Sequence, residues 1–92
     1  ISLSKNIASK VGPDVRVNVV APRNIFFEGG TWDQKIKDDN EKVKNMLSEQ
    51  VPLKRFGKPE EIADSVVFLC SKRSAFTTGV CLVVDGGQTK SF

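Results

Sequence analysis

The sequence has no histidine and no tyrosine. Without histidine, no Ser-His-Asp or Cys-His arrangement can be assembled, and a transition-metal site loses its commonest ligand, so no metal site is expected. Thiols are scarce as well: Cys70 and Cys81 are the only two, and they do not share a CxxC spacing. With no secretion signal in view, they read as two buried, reduced cysteines. No apolar run approaches the ~18 residues of a membrane span and no signal peptide is visible, which points to a cytoplasmic protein without a membrane partner. A large excess of one charge is also missing. Fourteen Lys and Arg stand against eleven Asp and Glu, a net +3. Lys35, Lys37, Lys42 and Lys44 are interleaved with Asp33, Asp38, Asp39 and Glu41, the pattern of a solvated helix face. The aromatics do not alternate with basic residues as a stacking platform requires, so nucleic acid is not expected as a partner.

What remains is an ordinary globular composition, 39% hydrophobic and 27% charged, in a chain with room for one small domain. The organising stretch is Arg16-Val17-Asn18-Val19-Val20-Ala21-Pro22. It is apolar without strict alternation, as befits a parallel strand covered on both faces, and Pro22 stops it because it has no N–H for the ladder. Ligands of open α/β sheets sit beyond the carboxyl ends of strands, which directs attention to Pro22 through Phe27.

In chain order, residues 1–10 read as a helix with Leu3, Ile7 and Val11 at helical spacing, flanked by Ile1 and Ala8, and Gly12-Pro13 stops it. After Pro22 comes an aromatic, glycine-bearing segment through Trp32, read as a shaped binding loop. Residues 33–50 read as one polar helix with a thin apolar stripe of Ile36, Val43, Met46 and Leu47. Such a helix is mobile or packs on something outside this chain. A loop, Val51 to Gly57, leads to a helix opened by Lys58-Pro59-Glu60-Glu61. Its broad apolar face of Ile62, Ala63, Val66, Val67, Leu69 and Cys70 predicts deep burial. Gly79 to Asp85 is a second apolar strand, ended by Gly86-Gly87. Strand, helix, strand makes a βαβ unit with parallel strands. Two strands leave two open edges, so the fold class is α/β, one flank of a larger doubly wound sheet, with 1–92 a single partial domain.

Three blocks carry a family resemblance: RVNVVAP, VPLKRFGKPEEIADSVVFLCS and TTGVCLVVDGG. Their order and spacing resemble the C-terminal part of the short-chain dehydrogenase/reductase family, its 3-oxoacyl-acyl-carrier-protein reductase-like members most. The resemblance runs from Leu3 to Gly87. It implies the last two strands of a seven-stranded Rossmann-type sheet, with NAD or NADP as cofactor and a small carbonyl or alcohol as substrate. The catalytic Ser and Tyr-x-x-x-Lys and the glycine-rich phosphate loop are then expected upstream of Ile1, because Ser2 to Lys5 matches the segment just past them. No catalytic residue is assigned within the chain.

By the same resemblance, Pro22, Arg23, Asn24, Ile25 and Phe27 form the cofactor-binding edge. Pro22 and Ile25 match the family pattern. Arg23 stands where the family has Gly, raising the cost of any positive φ there, and Phe27 stands at the usual Thr, removing a hydroxyl. Residues 28–50 correspond to the substrate lid, and Phe26, Trp32 and Met46 are the candidates for an apolar substrate pocket. Asn18 is expected to make a structural backbone hydrogen bond. Val80–Asp85 and the helix Pro59–Ser71 would form a two-fold contact in a homo-oligomer, dimer or tetramer. The alternative is a non-catalytic interaction module from a truncated or degenerate paralogue.

Overall fold

The computed structural model describes residues 2–90, and Ile1, read as the start of the first helix, lies outside the described residues. Helix α1 (Ser2–Val11) precedes strand β1 (Val19–Pro22). Helices α2 (Thr31–Asp38) and α3 (Asn40–Gln50) form an arm, α4 (Pro59–Cys70) crosses over, and β2 (Cys81–Val84) completes the sheet. The two strands are parallel, in register from Val19 opposite Cys81 to Pro22 opposite Val84. Pro22 is the last strand residue, and the next N–H, that of Arg23, bonds the Val84 carbonyl at 3.0 Å.

The first strand is shorter than the apolar run predicts: over residues 16–18 one backbone bond remains, from the Gly79 N–H to the Val17 carbonyl at 2.7 Å, and side chains make the other bonds. The Val17 N–H donates to the Thr78 hydroxyl at 3.0 Å, and Arg16 donates to the Thr77 carbonyl at 3.1 Å and the Ser71 carbonyl at 3.3 Å. Asn18 donates its amide to the Thr77 carbonyl and accepts from the Val80 N–H, the structural role expected of it.

The predicted single helix over 33–50 is two helices. Asp39 leaves helical geometry at φ −158°, ψ 87°, and its carboxylate accepts the Lys42 N–H at 3.1 Å. An aspartate that caps a new helix outcompetes continuation of the old one.

Helix α4 corrects a second expectation. Its first turn has Pro59 at the position where a missing N–H costs nothing, and Glu61 reaches back to the Lys58 N–H at 3.0 Å. Its deep burial does not hold: Leu69 is buried, but Val67 is 66% exposed, and Val66 and Phe68 are exposed too. Two strands present a narrow surface, and a helix that is apolar on more than one side cannot turn all of it inward. Cys70, one residue beyond buried Leu69, is likewise exposed and Cys81 half-buried, so neither thiol is buried as predicted.

Candidate functional site

The carboxyl ends of β1 and β2 are joined by loops that bond to one another. Gly57 docks beside Ile25 as a parallel bridge: its N–H donates to the Asn24 carbonyl at 2.9 Å, and its carbonyl accepts the Phe26 N–H at 3.0 Å. In a parallel bridge the flanking residues make the bonds, so the N–H and carbonyl of Ile25 itself are not used by Gly57.

Asn24 is the pivot. It is buried, with φ 57°, and its side-chain amide donates to the Asp85 carbonyl at 3.1 Å and to Gln88 Oε1 at 2.7 Å. The left-handed backbone thus falls on Asn24, a residue type that tolerates it, and not on Arg23. The cost predicted for an arginine in place of the family's glycine is not incurred at that position. Arg23 is exposed and shares a cavity of about 70 Å³ with Ile25, Arg55 and Glu61.

Asp85 closes the second strand. Its carboxylate accepts the N–H groups of Gly87 and Thr89, both at 2.8 Å. The Thr89 side chain above all, then the Thr89 and Gly87 backbone and the nearby Arg23 charge, holds its carboxyl below the ordinary aspartate range although burial opposes this. Gly86 follows at φ 73°, and a Cβ there would stand 2.7 Å from Val51 Cγ1, a side chain that is 1% exposed. Both the backbone and the space demand glycine.

The arm meets this cluster through aromatic rings. Phe56 lies 6.1 Å from Phe26 and 5.1 Å from Trp32, and Lys35 Nζ sits 4.6 Å from the Trp32 ring centroid. Between α2 and α3 a cleft of about 340 Å³ is lined by Trp32, Lys35, Asp38, Asp39, Lys42, Val43 and Met46. Two of the sequence-predicted substrate residues, Trp32 and Met46, therefore share one cleft. Phe26 does not line it and reaches it only through Phe56. Phe27 is 55% exposed, its ring so close over Gly30 that a Cβ there would fall 2.7 Å from it. Met46 and the other candidates bring no titratable group to the cleft, whose charges come from Lys35, Asp38, Asp39 and Lys42.

Behind the cluster, Arg55 holds Glu61 with two parallel bonds of 2.8 and 2.9 Å. That pair, with the Lys58 N–H, keeps the Glu61 carboxyl at about 2 and raises the Arg55 guanidinium further. Sequence reasoning gave no site role to Phe56, Gln50 and Gln88, and named Asp85 only as the end of the second strand and of the two-fold contact. Asp-Gly-Gly after a strand was a readable turn signal for Asp85, whereas Phe56 carried none beyond being an aromatic in a loop. Among the described residues no group of His, Cys, Asp or Glu could hold a metal ion, and no helix is long and apolar enough to cross a membrane.

The family described as enoyl-(acyl carrier protein) reductase matches residues 1–89. The chain belongs to the short-chain dehydrogenase/reductase family. It is 39% identical over 89 residues to the 3-oxoacyl-acyl-carrier-protein reductase of Aquifex aeolicus, covering 96% of this chain and 34% of that protein. The short-chain dehydrogenase/reductase structure of a glucose/ribitol dehydrogenase from Brucella melitensis superposes with a TM-score of 0.82 at 33% identity, covering 98% of this chain and 34% of that one. L-sorbose reductase from Gluconobacter frateurii, solved with NADPH and L-sorbose, gives 0.81 at 35% identity, covering 99% and 37%. This short-chain dehydrogenase/reductase chain spans about a third of the length of the curated relatives it matches, and its fold is one part of a doubly wound, Rossmann-type parallel sheet.

Proposed function

We propose that this chain is the C-terminal portion of an NAD(P)-dependent oxidoreductase of the cytoplasm. The complete protein transfers hydride between a nicotinamide cofactor and a small ketone or alcohol, with 3-oxoacyl thioesters as one candidate substrate class. The observation that carries this reading is the placement of Pro22 to Phe27 at the carboxyl end of β1 in a parallel pair, joined to the helical arm by the Phe26–Phe56–Trp32 cluster. A bound nicotinamide would supply the hydride. The N–H and carbonyl of Ile25, which the bridge to Gly57 leaves unused, would hold its carboxamide, with Pro22 and Asn24 fixing the loop and Arg23 and Phe27 flanking Ile25 in it. Trp32 and Met46 exclude water from an apolar substrate portion in the arm's cleft, and Phe26 braces that wall through Phe56.

In this reading the general acid is the tyrosine of a Tyr-x-x-x-Lys pair outside these 92 residues, which contain neither tyrosine nor histidine. The exposed apolar side chains of Val80 and Leu82, just before and within β2, and of Val67 and Phe68 on α4 support a two-fold contact between copies through Val80–Asp85 and Pro59–Ser71.

The test is a turnover assay on the 92-residue chain and on its complete parent. The parent should oxidise NADH or NADPH in the presence of a ketone, and the chain alone should be silent. Steady turnover by the chain alone overturns this division of labour. A parent reading frame with neither Tyr-x-x-x-Lys nor a glycine-rich loop overturns the enzymatic reading in favour of an interaction module.

A further inference from the structure

Two glutamines connect the loop at the strand ends to the far end of the arm. Gln88 accepts from the buried Asn24 amide at 2.7 Å through Oε1, and through Nε2 it donates to Gln50 Oε1 at 3.1 Å. Gln50 is the last residue of α3, so it marks the arm's exit, and Asn24 holds the left-handed turn two residues beyond β1. Three side-chain amides in series thus join segments 64 and 38 residues apart in sequence. A second contact runs beside them: the Leu53 N–H donates to the Gly86 carbonyl at 3.1 Å.

An amide is suited to such a link because it donates at one end and accepts at the other, so one side chain can serve two partners without burying a charge. Asn24 spends both its described amide bonds on residues after β2, Asp85 and Gln88. The three side chains thus form one hydrogen-bonded chain from Asn24 to the end of α3.

We propose that Gln88 is a positioning residue: with Asn24 and Gln50 it forms an amide relay that couples the conformation of the Pro22–Phe27 loop to the seating of the α2–α3 arm. This deepens the reading of that loop as the cofactor edge and of the arm as the substrate lid, and rests on it for its purpose. Filling the loop would tighten Asn24, and through Gln88 would seat the arm over the substrate.

The relay is tested without any cofactor, so its failure leaves the cofactor reading standing, and failure of the turnover assay leaves the relay standing. Amide hydrogen exchange is followed in the complete parent protein, free of cofactor, and in its Gln50→Leu, Gln88→Leu and Gln88→Glu variants, with Gln34→Leu as control. The readout is the Phe26 and Gly57 amides, which bond across Gly57 and Asn24 and touch neither glutamine. Gln50→Leu should speed their exchange about 2- to 10-fold, the range of one net hydrogen bond. Gln88→Leu should do the same. Gln88→Glu should restore most of the protection, since a carboxylate accepts from Asn24 and from a flipped Gln50 amide. Gln34→Leu removes the Gln34–Asp38 bond within the arm and should leave both amides unchanged. The double variant Gln50→Leu/Gln88→Leu should exchange no faster than the faster single one. Unchanged Phe26 and Gly57 exchange in Gln50→Leu, or strictly multiplicative effects in the double variant, overturns the relay. If a variant unfolds, every amide exchanges together, and the comparison passes to Gln50→Glu against Gln50→Leu, where equal exchange in the two overturns it.

Discussion

The loop cluster at the strand ends and the helical arm beside it are built on different physics. The cluster is polar and closely determined: Asn24, Asp85 and Gly57 each make two or more specific bonds, and Gly86 admits no side chain. The arm has one buried residue, Val43, an aspartate cap and a few rings against Phe56. Polar networks of fixed geometry hold one conformation and fail as a unit. A thin apolar stripe tolerates displacement. On the proposed function, the cluster is the scaffold that would fix the cofactor edge, and the arm is the part that would open and close over it.

The largest effect that breaks this comparison lies outside both regions. Leu82→Lys with Val84→Lys should abolish association of the chain, because like charges would face one another in a two-fold contact. Sedimentation that shows the double variant associating as strongly as the parent sequence refutes that contact. The monomer left behind should lack a cooperative thermal transition, since ordering costs on the order of 1.5 kcal/mol per residue and two strands bury too little to offset it. Gly86→Val comes next. Forcing a branched side chain into φ 73° and against Val51 should destabilise the folded assembly by about 3 kcal/mol, read by urea titration of Trp32 fluorescence. A loss confined to local exchange near Val51 would show that the cluster is less of a unit than its bonds suggest.

Acid probes the same scaffold from another side. Glu61 sits at about 2 and Asp85 also lies below its ordinary value, so both bind protons more weakly folded than unfolded. Their contribution to stability is complete above roughly pH 5 and is lost as the pH falls toward 2. Glu61→Gln should flatten the upper part of that acid limb; an unaltered profile would remove the Arg55–Glu61 pair from the account. The smallest effect belongs to the arm. Asp39→Ala removes a helix cap worth about 1 kcal/mol and should speed exchange at the start of α3 alone. Changes spreading to Gly57 would erase the distinction between scaffold and arm.

Much of this architecture could be read from residue order. Two apolar runs bounded by Pro22 and by Gly86-Gly87, with a helix between them, were enough for a parallel pair, and the motif around Pro22 located the loop at the strand ends. The break at Asp39 was missed because the helical period of the apolar stripe runs on across it while the deciding event is one local cap. The exposed face of α4 was missed because an apolar count records what a helix offers and not what its neighbours can cover. Least legible was the Asn24–Asp85 bond, which spans 61 residues from a side-chain amide to a backbone carbonyl. No period or spacing encodes such a pair; only the closing of the sheet brings it together.

The central claim is that the loop after β1 is the nicotinamide edge and that the arm closes on it. Hydrogen exchange on the complete parent protein, with and without NADH or NADPH, tests this most directly. Slowed exchange at Ile25 to Phe27, accompanied by slowed exchange in α2 and α3, is the predicted result. Protection by the cofactor elsewhere in the protein, with residues 22–50 unchanged, would contradict it.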